Sequence, residues 1–475
     1  MKIIGRKAET KELLRCERSN KSELICVYGR RRVGKTFLVE QTFSNYFAFR
    51  ATGVEGGNTR TQLKSFNQRL QEYGDPTRTI PRDWFEAFSR LEQVLSKTDS
   101  PKSPHGKSIV FLDEFPWFAT ARSEFLMAFG EFWNRCGTQS GNYMFIICGS
   151  ATSWIIGNIL ESSGSLYNRV TSQIFLSPFT LKESEQFFND REFGWSRRQI
   201  TECQMIFGGL PYFLDLMNKD ESLNQNVDRL CFSQHALLRH ESKRLLEATL
   251  RKSHVYADIL EFLSRYRYGI KKSDCFEKLS IPKGTFTRAI DDLIKCGYIH
   301  EYTDKYKKGK PLCLQLIDPF LLFHYRFLSG KSNKTITSFS EFSGNEGRYT
   351  NWRGHAFEIL ALCHIGQIKS ALGISGVLTN HFTWVSEKIE GGAQIDLVIE
   401  RKDGITDICE LKYTDRPFPI SAAYEQSLIN KVDVFRAEAG TSQTLKIVMI
   451  CSEGVSGVAH TERIAETLIL DDLFD

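Results

Sequence analysis

The chain has 475 residues, too many for one hydrophobic core, and its length favours about three domains. Its 62 Lys and Arg residues against 57 Asp and Glu residues give a net charge of +5, which excludes a uniformly basic nucleic-acid-binding protein. Any nucleic-acid surface must therefore be a local patch. The 12 cysteines occur singly, without the spacing of a zinc site or a disulfide framework, and predict a reducing cytoplasmic environment.

The sequence predicts no membrane-spanning segment. The amino terminus lacks the apolar core of a signal peptide. The uncharged stretch from Tyr143 to Leu160 is about long enough to cross a bilayer, but its glycine, serine and asparagine residues fit a buried strand and loop better. The first element, residues 3–14, predicts an amphipathic helix that either packs beside a nucleotide or is a plain first helix.

A glycine-rich loop follows the predicted strand 24–28 and precedes a predicted helix. Residues Gly29 to Thr36 match G-x-x-x-x-G-K-[ST], whose backbone N–H groups surround the phosphates of a nucleoside triphosphate. Lys35 would reach the β- and γ-phosphates and Thr36 would ligate Mg²⁺, so we expect ATP and Mg²⁺ as cofactors. The three arginines of the loop either screen phosphate charge or contact another domain. The expected nucleotide contacts are Gly29, Arg30, Arg31, Arg32, Val33, Gly34, Lys35, Thr36 and Phe37.

The next two predicted strands each end in polar residues. The apolar run 109–112 leads into Asp113, which would hold Mg²⁺ beside Thr36, and Glu114, which would polarise the attacking water. Strand 143–148 leads to Ser150, which either lies between the two acids and the γ-phosphate and senses that phosphate, or simply caps the strand. Arg169, in a later loop, is either a solvated residue or an arginine finger. As a finger it would act on the nucleotide of its own chain or on that of a neighbouring chain, and the second case would require a homo-oligomer.

These residues together resemble an AAA+-type P-loop ATPase. The specific similarity is to the archaeal-type ATPases of prokaryotes, whose opening motif is matched by Ile4-Gly-Arg-x-x-Glu9. The segment Gly208-Gly-Leu-Pro-Tyr-Phe213 resembles the G-x-P turn in the helical lid of signal-transduction and origin-recognition-like ATPases. The resemblance implies that this turn, through Gly209 and Pro211, lies against the bound nucleotide and reports its state to the next domain. The residues themselves indicate only a turn between two helices.

Residues 256–317 predict three helices followed by a two-stranded hairpin, the pattern of a winged helix-turn-helix. DNA contact and protein contact both remain open for this module, because Asp291 and Asp292 on its third helix would repel phosphate. The candidate DNA contacts are Thr285, Thr287, Arg288 and Lys295 on that helix and Lys305, Lys307, Lys308 and Lys310 at the hairpin tip.

The carboxy-terminal segment predicts a helix, three strands, a helix and a strand, which is the order of the restriction-endonuclease-like core. Glu410 and Lys412 share a face of the third strand, and a hairpin would bring Asp396 of the second strand to them. The two carboxylates would bind Mg²⁺, Lys412 would orient the nucleophile, and Glu358 on the first helix would complete the metal shell. The set resembles the PD-(D/E)xK pattern, except that Ile395 replaces the proline.

The predicted fold is multidomain α/β. It comprises a parallel αβα P-loop core at 1–177, a helical lid at 178–245, a winged helix at 250–328, a linker at 329–346 and a nuclease-like αβββαβ domain at 347–475. Two functions fit this organisation. Either ATP turnover controls a Mg²⁺-dependent DNA endonuclease, or the ATPase is a switch whose carboxy-terminal fold binds DNA or protein, or merely retains the carboxylates, without cutting.

Overall fold

The computed structural model divides the chain into two compact units, one ending at Ser177 and the other beginning at Pro178. Within the residues that it describes, no helix is long and apolar enough to cross a membrane. The lysines predicted at the wing tip lie outside those residues, as do positions 330–337 of the predicted linker. The described residues are 2–137, 142–161, 164, 166, 168–247, 253–303, 309, 311–329, 338–387, 392–457 and 461–475.

The first unit is organised around a five-stranded parallel sheet. Its strands are β1 (Glu23–Tyr28), β2 (Phe47–Thr52), β3 (Ser108–Asp113), β4 (Tyr143–Gly149) and β5 (Ser172–Phe175). Their order in the sheet is β2-β3-β4-β1-β5. Parallel sheets are covered on both faces, and β3 is accordingly buried along its whole length. Since β4 lies between β1 and β3, the residue that follows β4 lies between the phosphate loop and the two acids.

Helices cover this sheet and bury an aromatic core that includes Phe66, Trp84, Phe88 and Phe125. The predicted parallel α/β core is confirmed. The helices are α1 (Lys7–Glu17), α2 (Lys35–Phe43), α3 (Thr59–Glu72), α4 (Trp84–Leu95), α5 (Phe125–Phe132) and α6 (Thr152–Ile155), with short helical turns at Phe115–Trp117, Trp133–Gly137 and Ile156–Leu160.

The second unit begins with the predicted lid and winged helix. The lid contains α7 (Leu181–Asp190), α8 (Arg197–Phe207), α9 (Pro211–Leu214), α10 (Leu223–Val227), a turn at Asp228–Phe232 and α11 (Glu241–Glu247). Next come α12 (Ser253–Leu263), β6 (Ile270–Lys271), α13 (Lys272–Leu279), α14 (Lys283–Lys295), β7 (Ile299–Thr303), β8 (Leu312–Leu316), α15 (Pro319–Phe323) and a turn at His324–Leu328. Strands β6, β8 and β7 form a small antiparallel sheet, in which β7 and β8 are the predicted hairpin and β6 is an additional strand.

The carboxy-terminal sheet has the order β15-β13-β11-β10-β9, with β9 to β11 antiparallel and β13 and β15 parallel to β11. It contains the predicted sequence of helix, three strands, helix and strand. Its elements are α16 (Phe339–Ser343), α17 (Glu346–Cys363), α18 (Ile365–Ala371), β9 (Thr379–Val385), β10 (Gln394–Arg401), β11 (Ile405–Lys412), β12 (Phe418–Pro419), α19 (Ala422–Ala439), β13 (Thr444–Cys451), β14 (Val455–Ser456), β15 (Ile464–Ile469) and the turn Leu470–Phe474.

The predicted winged helix packs directly on this carboxy-terminal sheet. Tyr302 of β7 belongs to the same apolar core as Phe382 and Trp384 of β9. The imidazole of His300 donates to the carbonyl oxygen of His381 at 2.9 Å. The two segments therefore pack against each other within the second unit.

Candidate functional site

The phosphate loop, Gly29–Thr36, depends on two glycines. Gly29 has a φ of +147°, and a side chain there would collide with the carbonyl oxygen of Leu176. Gly34 has a φ of +89° and caps the amino terminus of α2. Both backbone conformations favour glycine, which explains the spacing of the motif. The loop thus directs the start of α2, with its partial positive charge, toward an incoming anion.

Lys35 points back into this loop. Its ammonium group is buried and donates to the carbonyl oxygens of Gly29 at 3.0 Å and Arg30 at 2.9 Å. These acceptors are neutral, whereas a phosphate oxygen carries charge and accepts a stronger hydrogen bond. The lysine is therefore positioned to exchange its carbonyl partners for a phosphate.

Thr36 and Asp113 meet as a Mg²⁺ site requires. The Thr36 hydroxyl donates to Asp113 Oδ2 at 2.9 Å. Burial and the adjacent carboxylate of Glu114 raise the pKa of Asp113, so a cation at this position would offset unfavourable negative charge. Oxygen donors from a hydroxyl and a carboxylate suit Mg²⁺, which retains several water ligands. The residues present therefore fit the predicted metal.

Glu114 and Ser150 also lie together. Glu114 has a left-handed backbone with a φ of +46°, an uncommon conformation for a residue other than glycine. Its Oε2 atom accepts from the Ser150 hydroxyl at 3.1 Å and from the Ser150 N–H at 3.4 Å. The structure thus brings Lys35, Thr36, Asp113, Glu114 and Ser150 to one end of the sheet, while phosphate sensing by Ser150 stays a prediction.

Arg6 supports the phosphate loop, a role that the sequence reasoning missed. It has a φ of +50° at the start of α1, and its guanidinium donates to the carbonyl oxygens of Val33 at 3.4 Å and Ser177 at 2.6 Å. Glu9 lies 3.7 Å from the same guanidinium. Both residues belong to the opening motif Ile4-Gly-Arg-x-x-Glu9, which was the available indication.

The remaining predicted nucleotide contacts occupy varied positions. Arg30 and Val33 are buried, whereas Arg31, Arg32 and Phe37 are half-buried. Arg169 is exposed on a turn, where its N–H donates to the carbonyl oxygen of Leu166 at 3.0 Å. Pro211 belongs to the second unit, where it begins α9 after the Gly208-Gly209 turn. The roles of Arg169 and Pro211 stay predictions.

The second predicted centre, which we name the carboxylate site, comprises Glu358, Asp396, Glu410 and Lys412. The β10–β11 hairpin pairs Leu397 with Cys409, which brings Asp396 and Glu410 to neighbouring positions. Asp396 Oδ2 accepts from the Leu411 N–H at 3.0 Å. Both carboxylates are buried. The hairpin therefore does bring Asp396 to the motif of the next strand.

Glu410 is surrounded by donors. Lys412 lies 2.9 Å from its Oε1 atom, Lys431 lies 2.5 Å from its Oε2 atom, and the Tyr424 hydroxyl donates at 2.8 Å. Burial opposes ionisation, but the two ammonium groups outweigh it and lower the pKa of Glu410. Tyr424 and Lys431 are additional site residues that the sequence reasoning missed. Their spacing of two helical turns places them on one face of α19.

Glu358 is held by an arginine of the predicted winged helix. Arg267, which precedes β6, donates through Nε at 3.1 Å and through Nη2, so the pair is bidentate. The imidazole Nδ1 of His355 lies 3.6 Å from the same carboxylate. Burial opposes ionisation, but the interactions with His355 and Arg267 lower the pKa of Glu358.

These partners correct the predicted metal shell. Among the described residues, no group of three or more His, Cys, Asp or Glu side chains is arranged to hold a metal ion. The reason is that Arg267 occupies Glu358 and two lysines occupy Glu410. Asp396 differs, because burial and the charges of Glu410 and Glu358 raise its pKa to about 7. A divalent cation would offset the negative charge of ionised Asp396, so the carboxylates of Asp396 and Glu410 suit Mg²⁺ as ligands. The carboxylate of Glu358 is paired with Arg267 and is not available as a ligand.

Helix α14 carries the four predicted DNA contacts of the third helix, and two of these side chains are exposed. Thr287 and Arg288 are exposed, and Thr285 and Lys295 are half-buried. Asp292 accepts a hydrogen bond from the Tyr256 hydroxyl at 2.6 Å. Asp292 therefore supports the packing of α12 on α14, and its repulsion of phosphate stays a prediction.

Comparison with known proteins identifies the first part of the chain. Residues 4–217 match the family described as an ATPase domain predominantly from Archaea. This segment contains the phosphate loop, Asp113, Glu114, Ser150 and the proline turn. The predicted resemblance to the archaeal-type ATPases is therefore confirmed for these residues.

Individual relatives are more distant. An uncharacterized protein of Methanocaldococcus jannaschii is 23% identical over 366 residues, which cover 76% of this chain and 76% of that protein. A Walker-type ATPase of Pyrococcus abyssi is 17% identical and matches 68% of this chain and 96% of its own, with a TM-score of 0.49. The ORC2 protein of Aeropyrum pernix is 14% identical over 68% of this chain and 93% of its own, with a TM-score of 0.45.

Proposed function

We propose that the protein binds and hydrolyses ATP in its first unit, and that the nucleotide state controls a DNA-interacting, Mg²⁺-dependent nuclease-like site in its second unit. The observation that carries the first part is the contact of Thr36 with Asp113 at 2.9 Å, beside Lys35 and the Glu114–Ser150 pair. These side chains come from separate segments, yet they meet at the carboxyl end of a parallel sheet, where α/β proteins bind ligands.

The proposed hydrolysis assigns a role to each of these residues. Mg²⁺, when bound, would offset the charge of the phosphates. Thr36 and Asp113 would hold it, while Lys35 would bind the β- and γ-phosphates. Glu114 would orient the attacking water, and Ser150 would keep the Glu114 carboxylate in place through its hydroxyl and N–H.

Contacts within the second unit support control of the carboxylate site by the lid. Glu202, on helix α8 just before the proline turn, accepts from the Tyr413 hydroxyl at 3.1 Å. Arg198 of the same helix donates to the carbonyl oxygen of Thr414 at 2.8 Å. Tyr413 directly follows Lys412. A displacement of α8 would therefore act on the end of the strand that carries Glu410 and Lys412.

The convergence of Asp396, Glu410 and Lys412 supports a nuclease-like role for the carboxy-terminal sheet. With a metal bound, Asp396 and Glu410 would hold it, and Lys412 would orient the nucleophile or stabilise developing charge. A second function, a switch that binds DNA or protein without cutting, has its own support. The internal cations already paired with Glu358 and Glu410 are what a purely structural site would contain.

Cleavage of DNA distinguishes these two functions. Supercoiled plasmid and single-stranded DNA are incubated with Mg²⁺ or Mn²⁺, with and without ATP, using the wild type, Asp396→Ala and Lys35→Ala. We expect cleavage by the wild type, its loss in Asp396→Ala, and loss of the ATP response in Lys35→Ala. No cleavage of either substrate would favour the non-cleaving switch, and cleavage by Asp396→Ala would remove the site assignment.

A further inference from the structure

The loop between β2 and α3, residues 53–58, packs directly against Glu114. Strands β2 and β3 are parallel, with Thr52 opposite Asp113, so the chain that leaves β2 continues beside the chain that leaves β3. Gly53 is the point of contact. Its N–H donates to the carbonyl oxygen of Asp113 at 2.9 Å, and a Cβ atom at Gly53 would lie 2.5 Å from the carbonyl oxygen of Glu114. The two backbones therefore touch at a position that only glycine permits.

A buried glutamine of α3 fixes the conformation of this β2–α3 loop. Gln62 is fully buried, and its side-chain amide donates to the carbonyl oxygens of Val54 at 2.7 Å and Gly57 at 3.3 Å. Its Oε1 atom accepts from the Val54 N–H at 2.9 Å. The loop contains three glycines, which have the most conformational freedom to lose. The hydrogen bonds of Gln62 therefore select one conformation from many.

Glu114 is held at both of its ends. Its left-handed backbone, with a φ of +46°, is one that a residue other than glycine keeps only where its surroundings enforce it. Gly53 packs against this backbone, and the Trp117 N–H donates to its carbonyl oxygen at 3.0 Å. Ser150 holds the carboxylate at the other end. Two separate elements, the β2–α3 loop and the residue after β4, thus determine where the carboxylate points.

We propose that Gln62 and Gly53 are positioning residues for ATP hydrolysis. Gln62 sets the loop, and Gly53 of the loop sets the backbone of Glu114, which directs the carboxylate toward the attacking water. The inference rests on the proposed role of Glu114. A misplacement of about 1 Å can cost on the order of 100-fold in rate. Because both residues act through Glu114, their loss should slow hydrolysis and leave ATP affinity nearly unchanged.

The test separates nucleotide binding from hydrolysis in the full-length protein. Binding of AMP-PNP, an analogue that is not hydrolysed, is measured by calorimetry, and hydrolysis of radiolabelled ATP is measured in single turnovers with the protein in excess. The variants are Gln62→Met, which keeps the length of the side chain without its hydrogen bonds, and Gly53→Ala, which adds the colliding Cβ atom. They disturb the loop in different ways, so either one tests the inference if the other does not fold.

Each variant has a matched control in the same unit. Gln68→Met makes the same change at an exposed position of α3. Gly157→Ala adds a Cβ atom that meets nothing within 4 Å. Both controls should hydrolyse ATP at the wild-type rate.

We expect Gly53→Ala to lower the single-turnover rate about 10- to 100-fold and Gln62→Met to lower it about 5- to 20-fold. The Kd for AMP-PNP should stay within about twofold of the wild type in both. The same two substitutions are then made in the Glu114→Gln background. There each should cost less than about twofold more, because the carboxylate that they position is already gone. A merely structural role would lower the rate by the same factor in both backgrounds.

Three results would overturn the inference. One is a wild-type rate in Gln62→Met and Gly53→Ala, and another is an equal loss in the two backgrounds. The third is weaker binding of AMP-PNP at an unchanged rate, which would make the loop a binding element. Failure of the proposed function looks different, because Glu114→Gln alone would then hydrolyse ATP at the wild-type rate.

Discussion

The phosphate loop and the carboxylate site differ in the partners of their charged groups. Lys35 is held by two neutral carbonyl oxygens, while Glu358 and Glu410 are held by the cations of Arg267, Lys412 and Lys431. A charged ligand displaces a neutral acceptor readily, but an ion pair between two charged groups must be exchanged for another ion pair. The first site is therefore prepared for its ligand, whereas the second requires a competing charge before it can act.

At the phosphate loop, the substitution Lys35→Ala has the largest expected effect on ATP hydrolysis. Removing a preorganised cation from the phosphates should lower kcat/KM for ATP hydrolysis by at least about 100-fold. Because the carbonyl partners of Lys35 are neutral, no buried charge is left unpaired, and the melting temperature should change little. ATPase assays and calorimetry test both statements.

The exposed Lys64→Ala in the same unit is the matched control and should retain full activity. A large loss of melting temperature in Lys35→Ala would contradict the comparison, since it would mean that the ammonium group is a structural partner of the loop.

Glu114→Gln separates binding from turnover in the first site. The amide keeps the shape of the side chain and its contact with Ser150, but it cannot polarise water as the carboxylate does. We expect ATP binding to remain and kcat to fall by about 100-fold, while Ser150→Ala, which only loosens Glu114, should cost about 10-fold. Equilibrium nucleotide binding and single-turnover hydrolysis measure the two quantities. Normal turnover in Glu114→Gln would assign the water to another residue.

The phosphate loop could be predicted from the sequence because the residues that define it lie close together in the chain. The spacing of Gly29, Gly34 and Lys35 and the acids at the end of an apolar run determine both the elements and their chemistry. The order of helix, strands and helix around Asp396 and Glu410 was likewise predictable, since hydrophobic periodicity decides it.

The partners that decide the state of the second site were not predictable. Arg267 lies 91 residues before Glu358, and Lys431 lies 21 residues after Glu410. No local pattern relates such positions, because only tertiary packing brings their side chains together. The opening motif indicated Arg6, but it did not indicate the contact of Arg6 with Ser177 across the first unit. The predicted three-carboxylate shell was wrong for this reason, as the pattern reveals the acids but not the cations that neutralise them.

Asp396→Asn tests the electrostatics of the carboxylate site through stability. The folded-state pKa of Asp396, about 7, lies above its unfolded value of about 3.9. Between these values the folded chain holds a proton that the unfolded chain has lost, so the wild type loses stability as pH rises through this window. The asparagine does not ionise. We therefore expect Asp396→Asn to match the wild type near pH 4 and to exceed it by about 1–3 kcal/mol at pH 8.

Chemical unfolding across this pH range measures the difference, with the exposed Asp433→Asn as the matched control. Mg²⁺ should reduce the gap at pH 8 by stabilising the ionised wild type, if the proposed metal binds there. A mutant that is less stable than the wild type at pH 8 would mean that ionised Asp396 is already compensated, and the contrast between the two sites would disappear.

Arg6→Lys has the smallest expected effect. It tests whether Arg6 holds the phosphate loop in the conformation that binds ATP. The guanidinium reaches Val33 of the phosphate loop and Ser177 at once, and a lysine cannot span both carbonyl oxygens with one ammonium group. The loop should then sample more conformations before it binds ATP, which raises KM several-fold, about 3- to 10-fold, and leaves kcat nearly unchanged because no reacting group has moved. Steady-state kinetics at varied ATP separates the two parameters, with the exposed Lys7→Ala on the same helix as control. A fall in kcat at constant KM would instead place Arg6 among the residues that act on the transition state, and the loop would then depend on its neighbours for chemistry as well as for shape.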